Sequence, residues 1–97
     1  MTLPVIIRLE AKQDIREART WYQDISPEFG NAFIRRLEQA ISLVQEHPLA
    51  FPLVRRNFRR VLLSRFPYAV FYHVGDQRIV IVAVLHQARD PEILAMR

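Results

Sequence analysis

Residues 66–91, "FPYAVFYHVGDQRIVIVAVLHQARDP", decide the fold. Within them Tyr68, Val70, Tyr72 and Val74 alternate with Ala69, Phe71 and His73, the two-residue period of a strand. Gly75-Asp76 reads as a two-residue hairpin turn that begins with glycine, and residues 77–86 form the last and most hydrophobic strand. In that last strand Ile79, Ile81, Ala83 and Leu85 alternate with Val80, Val82, Val84 and His86. Both parities are apolar in both strands, so both faces of the sheet they build should be covered.

Working back along the chain, residues 58–64 read as a strand that ends at a break near Phe66-Pro67, preceded by a loop holding Pro48 and Pro52. Before the loop the period becomes helical. Phe29, Phe33, Leu37, Ala40, Ile41 and Val44 lie on one helix face, and "EHP" ends the helix before Pro48. Ser26 fits an N-cap, Pro27 the first helical position and Glu28 the positive end of the helix dipole. An earlier helix starts near Ala11, with Ala11, Ile15, Ala18, Tyr22 and Ile25 on its buried face and Lys12, Asp14, Arg16, Glu17 and Arg19 solvated. Residues 4–9, rich in β-branched side chains, open the domain as a short strand. The expected architecture is therefore α+β, β-α-α-β-β-β, one domain over residues 1–97, with a helical hairpin packed on a small, mainly antiparallel sheet. The hairpin covers one sheet face. "DPEILAMR" covers part of the other, and the remainder implies a partner that buries it.

The composition is that of a globular protein: 97 residues, 51% hydrophobic, 25% charged and only 2 glycines. Without cysteine there is no disulfide framework and no thiolate metal site. The apolar run near the N-terminus is too short for a signal peptide or membrane span, so the cytoplasm is the expected compartment. Of the 14 basic residues only Lys12 is a lysine. Arginine's planar fork suits bidentate contact with carboxylate or phosphate, so this preference points to a recognised anionic partner. Arg55, Arg56, Arg59, Arg60 and Arg65 all fall in an interval, between Glu46 and Asp76, that contains no acidic residue.

The assembled pattern resembles the RelE/ParE superfamily of type II toxin–antitoxin (plasmid stabilisation) toxins. The resemblance is carried by "DIREARTWY", "FGNAFIRRLEQAI", "HPLAFP", "RRVLLSRFPYAVFYHV" and "IVIVAVLHQARDP", with "FPYAVFY" followed by "VLHQARDP" the most specific part. It implies a growth-inhibiting toxin with a cognate antitoxin whose acidic, amphipathic tail neutralises it, and operator DNA reached only through that antitoxin. No cofactor is implied. Two branches differ in target. RelE-like members are ribosome-dependent endoribonucleases that cut messenger RNA with basic residues and a C-terminal tyrosine or histidine. ParE-like members inhibit DNA gyrase. This chain has no lysine beyond Lys12 and no tyrosine after Tyr72, which favours the ParE-like branch and a non-enzymatic action. The alternatives are a reduced ribonuclease site of His86, Arg65 and Arg89, or an inactive member serving as antitoxin-binding or autorepressor subunit.

Each candidate residue also has a plain structural reading. Arg55, Arg56, Arg59, Arg60, Arg65 and Tyr68 are assigned to the antitoxin; the arginines' bland role is a solvated basic edge. Strand alternation sends Arg59 and Arg60 to opposite faces, so the cluster is not one flat patch. Arg89, His86 and Arg65 are the candidates for target contact. Against that, His86 reads as a hydrogen-bonded strand end and "RDP" as a turn capped by Asp90. His47 and His73 have no metal-ligand spacing, and no metal is expected. Trp21-Tyr22, Tyr68, Phe71 and Tyr72 are read as packing rather than as a base-stacking surface.

Overall fold

The computed structural model describes residues 2–97. Its elements are β1 (Val5–Ile7), α1 (Leu9–Ile25), α2 (Pro27–Glu46), β2 (Leu53–Arg55), β3 (Phe58–Leu62), β4 (Tyr68–Val74), β5 (Ile79–His86) and a 3₁₀ turn, Pro91–Met96. The strands form one sheet in the order β1-β5-β4-β3-β2, with β1 parallel to β5 and every other pair antiparallel. This is the expected α+β arrangement with one added strand. β2 eluded the periodicity because it has three residues, follows Pro52 and shows no buried alternate position.

The helical hairpin forms for local reasons. Ser26 ends α1 and caps α2, its Oγ accepting from the Glu28 N–H at 3.2 Å, with Pro27 in the first turn. Gly30 lies against α1, where an added Cβ would stand 3.0 Å from the Gln23 Cβ; the helices cross too closely there for a larger residue. Phe33, Leu37, Ala40 and Val44 of α2 and Ala11 and Ala18 of α1 pack on Val61, Val70, Tyr72, Ile79, Ile81 and Val84 of the sheet. Ile25 and Phe29, placed on buried faces by their spacing, are exposed; they flank the junction of α1 and α2, at the tip of the helical hairpin.

Two expectations about the β4–β5 hairpin are corrected. The last ladder pair is Val74 with Ile79, and the Gly75 N–H donates to the Arg78 carbonyl at 2.8 Å. The reversal therefore falls on Asp76 and Gln77, one residue later than expected, and Gly75 does not take a positive φ. The alternation of β4 holds, but that of β5 does not. Phe71 pairs with Ala83 and Tyr72 with Ile81, which leaves Val82 as the extra residue of a β-bulge. Ile79, Ile81 and Val84 consequently face the helices, whereas Val80, Val82, Ala83 and Leu85 face outward.

Asp14 holds this bulge and is the third correction, since its helix position read as solvated. It is 9% exposed, and its carboxylate accepts from the Val84 N–H at 3.0 Å and from Arg97 at 2.7 and 3.0 Å. Arg97 also donates to the Val82 carbonyl at 2.9 Å. β1 pairs with β5 only as far as Ile81, so these two side chains satisfy the backbone groups of β5 beyond the end of β1. The Arg97 guanidinium is pushed above its ordinary pKa, mainly by its hydrogen bond to Asp14. Arg8 donates to the Arg97 main-chain oxygen at 2.7 Å, fastening the same segment again.

Candidate partner-binding groove

The 3₁₀ turn crosses the outer sheet face and covers part of it, as expected. Leu94, 2% exposed, packs with Ala69, Phe71, Val82, Ala83 and Leu85. Burying such a leucine stabilises by roughly 1.5–3 kcal/mol, enough to hold a turn this short in place. Asp90 caps it, its Oδ1 accepting from the Glu92 N–H at 2.9 Å. What the turn leaves open is a groove of about 540 Å³. Leu62, Ala69, Phe71, Leu85 and Leu94 form its apolar floor, and Arg55, Arg60, His86 and Arg89 stand at its edge. Leu62, the last residue of β3 and beyond its pairing with β2, is 51% exposed.

The elements explain which side chains meet here. Arg60 and Leu62 share one face of β3, β2 brings in Val54 and Arg55, and β5 ends at His86 beside the turn. Arg55 pairs with Glu92 at 3.1 Å across the groove mouth, tying β2 to the 3₁₀ turn. An exposed pair of this kind contributes about 0–1 kcal/mol, so an incoming carboxylate can exchange for Glu92 at little cost. Among the described residues no carboxylate lies within 4.0 Å of Arg60 or Arg89.

The sequence-predicted residues therefore divide. Arg55 and Arg60, assigned to the antitoxin, and His86 and Arg89, assigned to the target, meet in one groove. Arg56 stands at the β2–β3 turn with φ +51, a conformation that costs a non-glycine residue about 1–2 kcal/mol. Arg59 faces the helical side, where it donates to the Phe51 carbonyl at 2.7 Å and the Leu49 carbonyl at 3.3 Å, pinning the α2–β2 connection. Arg65 does not continue the β3 alternation. β3 ends at Leu62, and Arg65 sits in the following turn at φ +71, beside Arg35 and Arg36.

Tyr68 packs edge-on to Tyr22, Phe33 and His86, on the helical side of the sheet, and burial pushes its phenol pKa up. Tyr22 packs as expected, while Trp21 is 66% exposed. His86 Nδ1 accepts the Ala88 N–H at 3.0 Å, so the ring is oriented by its own turn. Val54 and Gln87 line the groove without having been singled out. Val54 depended on the unrecognised β2, and only the apolar double parity of the strands pointed to the floor. Among the described residues no group of three His, Cys, Asp or Glu side chains could hold a metal.

A small α+β protein with an arginine-edged apolar groove is suited to holding an acidic, amphipathic chain. Residues 5–91 match the family model described as the ParE toxin of the type II toxin–antitoxin system parDE, and the chain belongs to that family, within the RelE/ParE superfamily. It is 29% identical over 99 residues to Toxin ParE2 of Mycobacterium tuberculosis, across 94% of this chain and 88% of that protein. The fold is similar to a chain of the chromosomal ParDE toxin–antitoxin system from P. aeruginosa, at TM-score 0.77 and 17% identity, covering 88% of this chain and 96% of the other. It is also similar to a chain of the toxin–antitoxin complex RelBE2 from Mycobacterium tuberculosis, at TM-score 0.60 and 21% identity, covering 89% and 99%. Among the described residues no helix is long and apolar enough to cross a membrane.

Proposed function

We propose that this type II toxin inhibits growth by protein contact with DNA gyrase, and that a cognate antitoxin neutralises it by laying an acidic, amphipathic tail in the outer groove. The observation that carries the antitoxin reading is the groove itself: Leu62, 51% exposed, beside a floor of Ala69, Phe71 and Leu85, with Arg60 and Arg89 in the lining and Arg55 held by a weak ion pair. Apolar residues of a tail fill the floor while its carboxylates meet the arginines, and the tail gives up its ordering entropy on binding.

Gyrase is favoured over messenger RNA by the chemistry available. RNA cleavage through the ribose 2′-hydroxyl calls for one group to take a proton and another to give one. Among the described residues lining the groove there is one imidazole, His86, and no carboxylate, tyrosine or lysine, and the His86 Nδ1 already accepts the Ala88 N–H. A nuclease reading draws on His86, Arg60 and Arg89 all lining the groove, with the His86 ring itself packed edge-on to Tyr68.

Both readings are tested with purified protein. In a supercoiling assay the toxin should inhibit gyrase, and Arg89→Glu should weaken inhibition by about tenfold or more, a loss of the size expected for removing a charged contact. Unaffected supercoiling at large excess, with codon-linked messenger RNA cuts that vanish in His86→Ala, would establish the nuclease instead. Normal growth on expression without the antitoxin would leave only an inactive binding subunit.

A further inference from the structure

On the helical side of the sheet, away from the outer groove, lies a second concave site of about 520 Å³. Its walls are Tyr22, Phe29, Phe66 and Pro67, and three arginines, Arg35, Arg36 and Arg65, converge on it with no acidic residue in the lining. Among the described residues none of the three has a carboxylate within 4.0 Å; Arg36 donates only to Gln39 Oε1, at 3.3 Å. Three guanidiniums that line one site repel one another, and among the described residues none of them is in an ion pair.

Arg65 adds an independent observation. It is held at φ +71 in the β3–β4 turn, which costs a non-glycine residue about 1–2 kcal/mol. The turn is fixed on both sides by the Leu63 N–H to the Tyr68 carbonyl at 2.9 Å and the Tyr68 N–H to the Phe66 carbonyl at 2.8 Å. Its side chain is therefore presented by a rigid, strained backbone at the edge of the site, the arrangement expected where binding outweighs local stability.

From these features we propose that the Arg35–Arg36–Arg65 site docks an acidic, aliphatic segment of a protein partner, separately from the tail assigned to the outer groove. Carboxylates of the segment pair with the arginine forks while an aliphatic side chain enters between Phe29 and Phe66. The aromatic packing favours a peptide over a nucleic acid. Tyr22 stacks on Phe33 at 5.6 Å and meets Phe66 edge-on at 4.8 Å, and Phe33 meets Phe66 edge-on at 5.5 Å. The rings of Tyr22, Phe33 and Phe66 pack among themselves, so among the described residues Phe29, 49% exposed, is the one ring of the wall outside this packing, too little for a platform of stacked bases.

The test uses the isotope-labelled chain and a synthetic peptide alternating glutamate with leucine, followed by backbone amide shifts. The peptide should perturb residues 29–39 and 65–67. Arg35→Glu and Arg65→Gly should each weaken this binding by about tenfold or more, and Arg16→Glu on the exposed face of α1 should leave it unchanged. Because Arg65→Gly also relieves the positive φ, its thermal midpoint should not fall, which separates lost contact from lost fold. The same peptide with glutamine for glutamate should fail to bind. The proposal is overturned if the shifts appear only around Leu62, Phe71 and Arg89, if both variants keep full affinity, or if a single-stranded oligonucleotide occupies this site more tightly than the peptide.

Discussion

Asp14 and Arg97 show how far one ion pair can reach. They stand 83 residues apart, yet together they serve two β5 backbone groups beyond the reach of β1, the Val84 N–H and the Val82 carbonyl. The two deletions should not cost the same. In Asp14→Ala the long Arg97 side chain can swing into water, so the loss is mainly that of the unpaired Val84 N–H, about 1–3 kcal/mol. Arg97→Ala strands a carboxylate anchored in a helix and unable to reach solvent, which costs about 3–5 kcal/mol. Urea unfolding should therefore rank Arg97→Ala below Asp14→Ala, and the double variant should recover part of the difference. Equal losses, or the reverse order, would mean that Asp14 reaches water after all.

Between elements, the decisive contact is the crossing of α1 and α2. Gly30→Ala gains about 1 kcal/mol of helix propensity. The new methyl, however, would stand 3.0 Å from the Gln23 Cβ and 3.3 Å from its Cα, and a backbone atom inside a packed helix cannot yield by itself. Packing should win, so the variant is expected to melt at a lower temperature by several degrees, a shift of about 1 kcal/mol in a domain of this size. An unchanged or raised midpoint in differential scanning calorimetry would show that the hairpin can open. The hairpin was legible in the sequence because caps and helical spacing are local signals: Ser26, Pro27 and the run from Phe33 to Val44 fall where they were expected. β2 and the bulge at Val82 were not, because an exposed edge strand has no periodicity and a bulge is defined by its partner strand.

For the molecule as a whole, alkaline pH acts on the core through its buried tyrosines. Burial raises the pKa of Tyr22, Tyr68 and Tyr72 above the ordinary 10.0; for Tyr72 the nearby Arg59 opposes the shift without cancelling it. An acid whose pKa is raised by folding binds its proton more tightly in the folded state. Its contribution is complete below pH 10 and falls away as pH climbs through the folded values. Tyr72 also donates its hydroxyl hydrogen bond to the Pro48 carbonyl at 2.8 Å, a bond the phenolate cannot make. Phenolate absorbance should therefore rise together with loss of circular dichroism, above the ordinary tyrosine range. Tyrosines that titrate near pH 10 with the fold intact would contradict the buried cluster.

The sequence by itself determined the α+β order, the helical hairpin, the two-faced apolar strands and the arginine-rich, acid-free interval, because spacing, caps and charge are written residue by residue. It also carried the family resemblance that the match over residues 5–91 bears out. Only the tertiary structure decided which arginines act together. Arg55, Arg60 and Arg89 share the outer groove, Arg59 holds the α2–β2 connection, and Arg65 turns to the helical side to join Arg35 and Arg36. The physical reason is the same in each case. A side chain's face is set by where its strand ends and where a bulge shifts the register, and both depend on long-range pairing that composition and period do not encode.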